Sequence, residues 1–372
     1  MAGFSSVTGL ESVVFADNAS FDGTERGGIM TTDGQFWIGA TASPHVKLGT
    51  LTSPDGSITI GYSSPNVTLQ VTGGAPYYSL TPYIVGTDTH SQYSTIAAAI
   101  TQAIADGASA SNPKNIHIKP KGSAYAENLT VVDGINLIGQ GYQTVINGKI
   151  SMTTAGSATI SNLVLETNAD FLLDVTGSAA SGLAVRDCFL NCTDNTGISF
   201  TSSSGSSSIQ LDDCLGDIGT TGIALFVHTG AGALSCNNLR LGNSGGSSTA
   251  STTSTGSVNL YYSLLPIPFA TTGTGTFNIE FCEIITVSTN TTCLTTAGTG
   301  ESKSLYSSYD SGTASSISIG AGTTVNLRSA TILSSNANVL TGAGTLNYAF
   351  VTFVGSSSGH NVSSETPYAT LI

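Results

Sequence analysis

A six-residue motif returns nine times down the last two-thirds of the chain, and its spacing fixes what the chain can fold into. Its form is apolar, any, Asn or Asp, apolar, any, apolar. It appears as Ile160-Ser161-Asn162-Leu163-Val164-Leu165, then as Val185-Arg186-Asp187-Cys188-Phe189-Leu190. It returns as Leu211-Asp212-Asp213-Cys214-Leu215-Gly216 and Cys236-Asn237-Asn238-Leu239-Arg240-Leu241. Looser copies centre on Tyr262, Phe281, Ser307, Ser329 and Phe350, giving steps of 19 to 26 residues. A period of that size marks a solenoid, whose coils bury their apolar faces only by stacking on one another.

The spacing inside the motif predicts a corner. Ile160 and Leu163 are three apart and Leu163 and Leu165 two apart. A flat strand alternates faces with period two and cannot point all three inward. A one-residue bend at Asn162 can, because Asn and Asp are the non-glycine residues that enter the left-handed region most readily. Asn162, Asp187, Asp213 and Asn238 are then expected to stack as a polar ladder along one corner. A leucine-rich repeat has a similar period but needs an Asn after its strand, which these coils do not supply. A β-sandwich would not return one corner at near-fixed steps.

Composition narrows the function classes. Only 9% of the 372 residues are charged, and the net charge is −13 with ten Lys and Arg. That excludes nucleic-acid binding, which needs phosphate-neutralising cations, and docking on anionic membranes. No stretch has the length of a transmembrane helix, so no membrane insertion is expected. Met1-Ala2-Gly3-Phe4-Ser5 has neither a basic nor an apolar leader character, so no signal peptide is expected. Uncharged, hydroxyl-rich β-structure points to a virion or an extracellular appendage.

The six cysteines read as small inward hydrophobes, since Cys188, Cys214 and Cys282 share one motif position and Cys236 takes another. A disulfide framework is not expected. There is no C-x-x-C pair, and the Cys188/Cys192 spacing lacks a nearby His, so no metal site and no cofactor are expected.

Along the chain, residues 1–80 carry short strands near 35–39, 47–51, 57–60 and 67–71, broken by turns at Ser53-Pro54-Asp55-Gly56 and Ser64-Pro65-Asn66. Strands so sparse need partner chains to bury a core. Residues 81–112 read as a linker and one helix over Ala97–Ala105, ended by Asp106-Gly107 and placed to cap the exposed solenoid end. Residues 113–372 form the shaft.

Two stretches resemble known families. Tyr93-Ser94-Thr95-Ile96, Ile116-His117-Ile118-Lys119-Pro120-Lys121-Gly122, Tyr125-Ala126-Glu127-Asn128-Leu129 and Asn136-Leu137-Ile138-Gly139-Gln140-Gly141 resemble the start of pectin-esterase-like and pectate-lyase-like β-helices. The resemblance spans roughly residues 93–141 and implies an all-β, right-handed, single-stranded parallel β-helix. Pectin esterases place catalytic aspartates in Gln-Asp-Thr and Asp-Phe-Ile-Phe-Gly motifs. Neither occurs here, and the nearest string, Asp170-Phe171-Leu172-Leu173-Asp174, lacks the closing glycine. Residues Asp33–Gly39 and Gly49–Ile60 resemble N-terminal segments of phage tail-fibre and tailspike-like proteins, which implies a homotrimer attached at its N-terminal region to a baseplate.

The densest carboxylates are Asp187, Asp212, Asp213 and Asp217. A pair of acids is what glycoside cleavage requires. Asp187 and Asp213, however, hold the corner position that Asn162 and Asn238 hold elsewhere, which favours a structural role. His45, His90, His117, His228 and His360 show no ligand spacing, and no nucleophilic triad is legible. The apolar run Tyr261–Phe269 reads as a trimer contact rather than a glycan platform. The sequence therefore predicts a homotrimeric adhesive fibre or spike that binds a surface or glycan receptor and is not an enzyme. The alternative is a β-helical polysaccharide depolymerase.

Overall fold

The computed structural model describes residues 83–354 except 167–170, 193–195, 219–223, 244–248, 287–290 and 337, plus six strands outside that range. The chain divides into two units, Met1–Tyr77 and Tyr78–Ile372. In the first unit, Gln35–Gly39 pairs antiparallel with Val46–Thr50, and Ile58–Ser63 with Asn66–Val71.

The second unit is a parallel β-solenoid with three long sheets of thirteen, ten and eleven strands and a single helix among the described residues. Each coil adds one strand to each sheet. One coil supplies Ser181–Arg186 to the first sheet, Phe189–Cys192 to the second and Thr196–Phe200 to the third. Successive coils stack in register. Val185 lies on Leu211, Leu211 on Cys236, Cys236 on Leu260 and Leu260 on Ile279, so one motif position becomes one buried column.

The corner between the first and second sheets is left-handed in every repeat. Asn162, Asp187, Asp213, Asn238, Tyr262, Phe281, Tyr306, Ser329 and Phe350 have φ between 51° and 56°. One corner therefore lies a residue earlier than the motif spacing puts it, at Tyr306 instead of Ser307. Ser304 and Ser307 face inward in that coil, and the buried Tyr309 Oη donates to Ser304 Oγ at 2.8 Å. Leu305, the apolar residue that suggests the other register, faces outward.

The corner does not interrupt the inter-coil ladder. From Asn162 to Ser329 the corner N–H donates to the next coil, as in Asn162 to Arg186 O (3.1 Å), Asn238 to Tyr261 O (2.9 Å) and Tyr306 to Arg328 O (3.0 Å). The amide just after the corner points into the interior, where a bare donor is costly. At five of the corners a side chain one coil on accepts it. Leu239 N–H donates to Ser263 Oγ (3.2 Å), Ser263 N–H to Cys282 Sγ (3.5 Å) and Cys282 N–H to Ser307 Oγ (3.2 Å). The amides of Leu163 and Cys188 likewise meet the sulfurs of Cys188 and Cys214. The same hydroxyls and thiols donate backwards, Ser263 to Tyr261 O (2.8 Å) and Ser307 to Leu305 O (2.9 Å). These cysteines thus act as hydrogen-bonding groups as well as hydrophobes. All six cysteines are buried and free. Burial raises their pKa values, to about 12 for Cys188, Cys192 and Cys293 and about 11 for Cys214 and Cys282.

The helix Ile96–Ala105 packs on the N-terminal strands of the solenoid through Ile96, Ala99, Ile100 and Ala103. Its first turn is held from the first coil. Glu127 accepts the N–H groups of Ile96 (3.1 Å) and Ala97 (2.9 Å), while Thr95 Oγ1 caps Ala98 (3.3 Å). A carboxylate there also complements the positive end of the helix dipole.

The internal column gives a stability prediction. Ser307→Val strands the buried Cys282 amide and should cost on the order of 1–3 kcal/mol, whereas Cys282→Ser keeps an acceptor and should cost less than about 1 kcal/mol. Denaturant unfolding of the two variants beside the parent checks this; equal losses would show that the column is packing alone.

Candidate functional site

The four candidate acids lie on two neighbouring coils, three of them at or beside the corner. Asp187 and Asp213 are exposed corner residues themselves. Asp213 Oδ1 accepts from Asn238 Nδ2 at 2.8 Å, and Asn238 Oδ1 accepts from Arg240 Nε at 3.1 Å. Asp212 pairs in register with Arg186, whose Nε lies 3.3 Å from Asp212 Oδ2. Asp217 sits past the corner on the second sheet, between Asn191 and Gly242, and a side chain on Gly242 would meet its carboxylate at 2.4 Å. The structure brings Asp212 and Asp213 together by adjacency, puts Asp187 one coil away and turns Asp217 onto another face.

The expected corner ladder is partial. Asn238 and Asp213 form a side-chain rung, while Asn162 Nδ2 donates to the Gly139 carbonyl at 3.2 Å. Further amide pairs form on the outer face of the first sheet. Asn278 donates to Asn259 (2.8 Å), Asn347 to Asn326 (2.8 Å) and Asn136 to Asn115 (2.9 Å).

Below Asn238 the corner row changes chemistry. Tyr262, Phe281 and Tyr306 occupy three consecutive left-handed corners and stack. Tyr262 and Phe281 centroids are 5.0 Å apart with planes 5° from parallel, and Phe281 and Tyr306 are 5.0 Å apart at 10°. Their exposures are 57%, 46% and 54%, and Phe350, two corners further on, is 72% exposed. The apolar run at 261–269 is not a contiguous surface patch, because Leu265, Ile267 and Phe269 are core residues and Tyr262 alone of the run is a large exposed hydrophobic. The row was available in the sequence as aromatics at successive corner positions, once those positions are known to stack.

Interior polar groups do not make a second site. A cavity of about 10 Å³ beside Thr252, Ser254 and Phe277 has room for about one water. Among the described residues no group of three or more His, Cys, Asp or Glu is placed to hold a metal, and no helix is long and apolar enough to cross a membrane.

No protein-family model and no curated protein matches the chain. Solved structures similar to it include the deglycosylated pectin methylesterase from Aspergillus niger, at 13% identity over 81% of this chain and 93% of that one, with a TM-score of 0.32. Geobacillus virus E2 ORF18 is similar at 12% identity over 86% of this chain and 68% of that one, TM-score 0.37. The Agl-KA catalytic domain is similar at 11% identity over 80% and 71%, TM-score 0.34.

His228 is fully buried, stacked on Phe200 with centroids 4.8 Å apart, and its Nδ1 lies 3.3 Å from Thr252 Oγ1. Burial pulls its pKa from 6.5 down to about 4, opposed in part by the Gly232 backbone. Below pH 6.5 the unfolded chain takes up the proton first. The stabilisation is therefore complete above that value and is lost as pH falls towards 4, by up to about 3 kcal/mol. The drop in melting temperature from pH 7 to pH 4.5 should shrink in His228→Leu; an unchanged drop would place the acid sensitivity elsewhere.

Proposed function

We propose that the chain is a structural and adhesive shaft protein of a phage virion or phage-derived surface appendage, binding a surface or glycan receptor. The observation that carries this is the row of half-exposed aromatic rings on a hydrogen-bonded, in-register solenoid. Exposed large aromatics in a line are the kind of patch that marks interaction surfaces. The likeness of residues 33–60 to tail-fibre segments supports the appendage assignment, and the sparse strands of residues 1–80 support a homotrimer. The candidate acids fit this reading, since Asp212 is paired with Arg186 and Asp213 with Asn238.

The other reading is a polysaccharide depolymerase, favoured by the gathering of Asp187, Asp212 and Asp213 on adjacent coils. The double variant Asp187→Asn, Asp213→Asn separates the two. Asn keeps the tolerance for a left-handed corner and removes the carboxylate. It should fold, sediment as a trimer and bind bacterial cells as the parent does, and neither protein should release new reducing ends from capsular or pectic glycans. Cleavage by the parent that the variant lacks would establish the depolymerase. A parent that sediments as a monomer at micromolar concentration would remove the trimer.

A further inference from the structure

We infer that Tyr262, Phe281 and Tyr306 form a binding site for a neutral, linear polysaccharide lying along the solenoid axis. The inference rests on the adhesive reading and names its ligand class and location.

The first argument is the position. Four coils fill this corner with Asn or Asp, the inexpensive residues for a left-handed backbone. Three consecutive coils fill it with Tyr, Phe and Tyr, which gain nothing from that backbone and leave about half of each ring in water. The rings stack with near-parallel planes at 5.0 Å, and each residue keeps about half of its surface exposed. Sugar C–H groups pack on such surfaces, and the phenolic oxygens of Tyr262 and Tyr306 can exchange hydrogen bonds with sugar hydroxyls.

The second argument is area. An aromatic side chain covers roughly 150–250 Å², so three half-exposed rings offer on the order of 300 Å². A stable contact between two copies of the chain needs roughly 800 Å² from each. The row is too small for a subunit interface and fits two or three sugar rings.

The third argument is spacing and charge. The rings repeat at 5.0 Å, close to the length one pyranose adds to an extended chain. An extended peptide repeats at about 3.3 Å and falls out of step with such a row. Glu280 and Glu283 flank Phe281 on its two sides, in register with Tyr261 and Leu264 of the coil before. Two carboxylates in a chain of net charge −13 repel a polyanion and accept hydrogen bonds from neutral hydroxyls. Of the nearby cations, Lys303 on the Tyr306 coil is paired with Glu301 at 3.2 Å, Arg240 lies one coil before Tyr262, where its Nε donates to Asn238, and Arg328 lies one coil after Tyr306.

The test uses the full chain and isothermal titration with cellohexaose, mannohexaose and maltohexaose, beside an oligogalacturonate hexamer and a hexalysine peptide. At least one neutral hexasaccharide should bind, and the galacturonate and the peptide should not. The variant Tyr262→Asn, Phe281→Asn, Tyr306→Asn installs at each corner a residue that other coils already use there. It should keep the parent's circular dichroism and melting temperature while weakening that binding by about tenfold or more. If the variant misfolds, Phe281→Leu, which removes only the central ring, gives the same comparison. No neutral hexasaccharide bound, binding to galacturonate or peptide only, or binding unchanged in the folded variants would each overturn the assignment. Loss of cell binding in the variant without oligosaccharide binding would overturn the ligand class and leave the adhesive reading standing. Cell binding unchanged in the variant, with no oligosaccharide bound, would overturn the site and leave adhesion to another surface, whereas a parent that binds no cells would count against the adhesive reading itself.

Discussion

Everything in the solenoid depends on turning the chain through a sharp angle once per coil without losing a backbone hydrogen bond. A left-handed residue achieves the turn, and its own N–H still reaches the next coil, as at Asp187 to Asp212 O (3.1 Å) and Phe281 to Leu305 O (3.0 Å). The difficulty moves one residue on, to an amide aimed into an apolar interior. There the coil needs an acceptor that is small, can also donate and faces inward. Serine and cysteine meet all three conditions and fill the column at Cys188, Cys214, Ser263, Cys282 and Ser307, while Leu163, Leu239 and Ala330 hold it by packing alone. The strength of the stack therefore lies in the backbone ladder, joined at several corners by reciprocal bonds of modest individual worth.

This arrangement explains what the sequence made legible and what it hid. The three-then-two spacing of Ile160, Leu163 and Leu165 can only be met by a corner, so the corner at Asn162 and its equivalents was readable from residue order. The coil around Tyr306 was not, because its inward positions are Ser304 and Ser307. With buried hydroxyls inside and Leu305 outside, the apolar pattern slips by one residue, and serine appears a better corner than tyrosine. Asn162, Asp187, Asp213 and Asn238 all stand at the left-handed corner, as their spacing requires. The polar corner side chains bond to one another at Asp213 and Asn238, and strand residues three positions earlier also pair as amides between coils, as at Asn278 with Asn259 and Asn347 with Asn326.

The candidate site was less legible for a related reason. Single-residue reading draws attention to carboxylates, because a pair of acids has known chemistry. In the folded coil the acids at 212 and 213 already have partners, and the distinctive surface is a set of residues 19 and 25 positions apart in sequence. Nothing in Phe281 alone suggests a site. It becomes one only when the solenoid places it between Tyr262 and Tyr306 at 5.0 Å.

A solenoid separates its two tasks by column. Inward columns are bound by packing and by the post-corner amide, and a change in one is felt by the coils on either side. Outward columns carry almost no such constraint, because the backbone bonds are made whatever side chain projects. The corner column stands between these cases. It must tolerate a left-handed backbone, yet its side chain is free, so it can carry Asn and Asp over four coils and then aromatic rings over three with no change in the backbone angle. A functional row can therefore be written onto the corner, one coil at a time, without altering the fold beneath it.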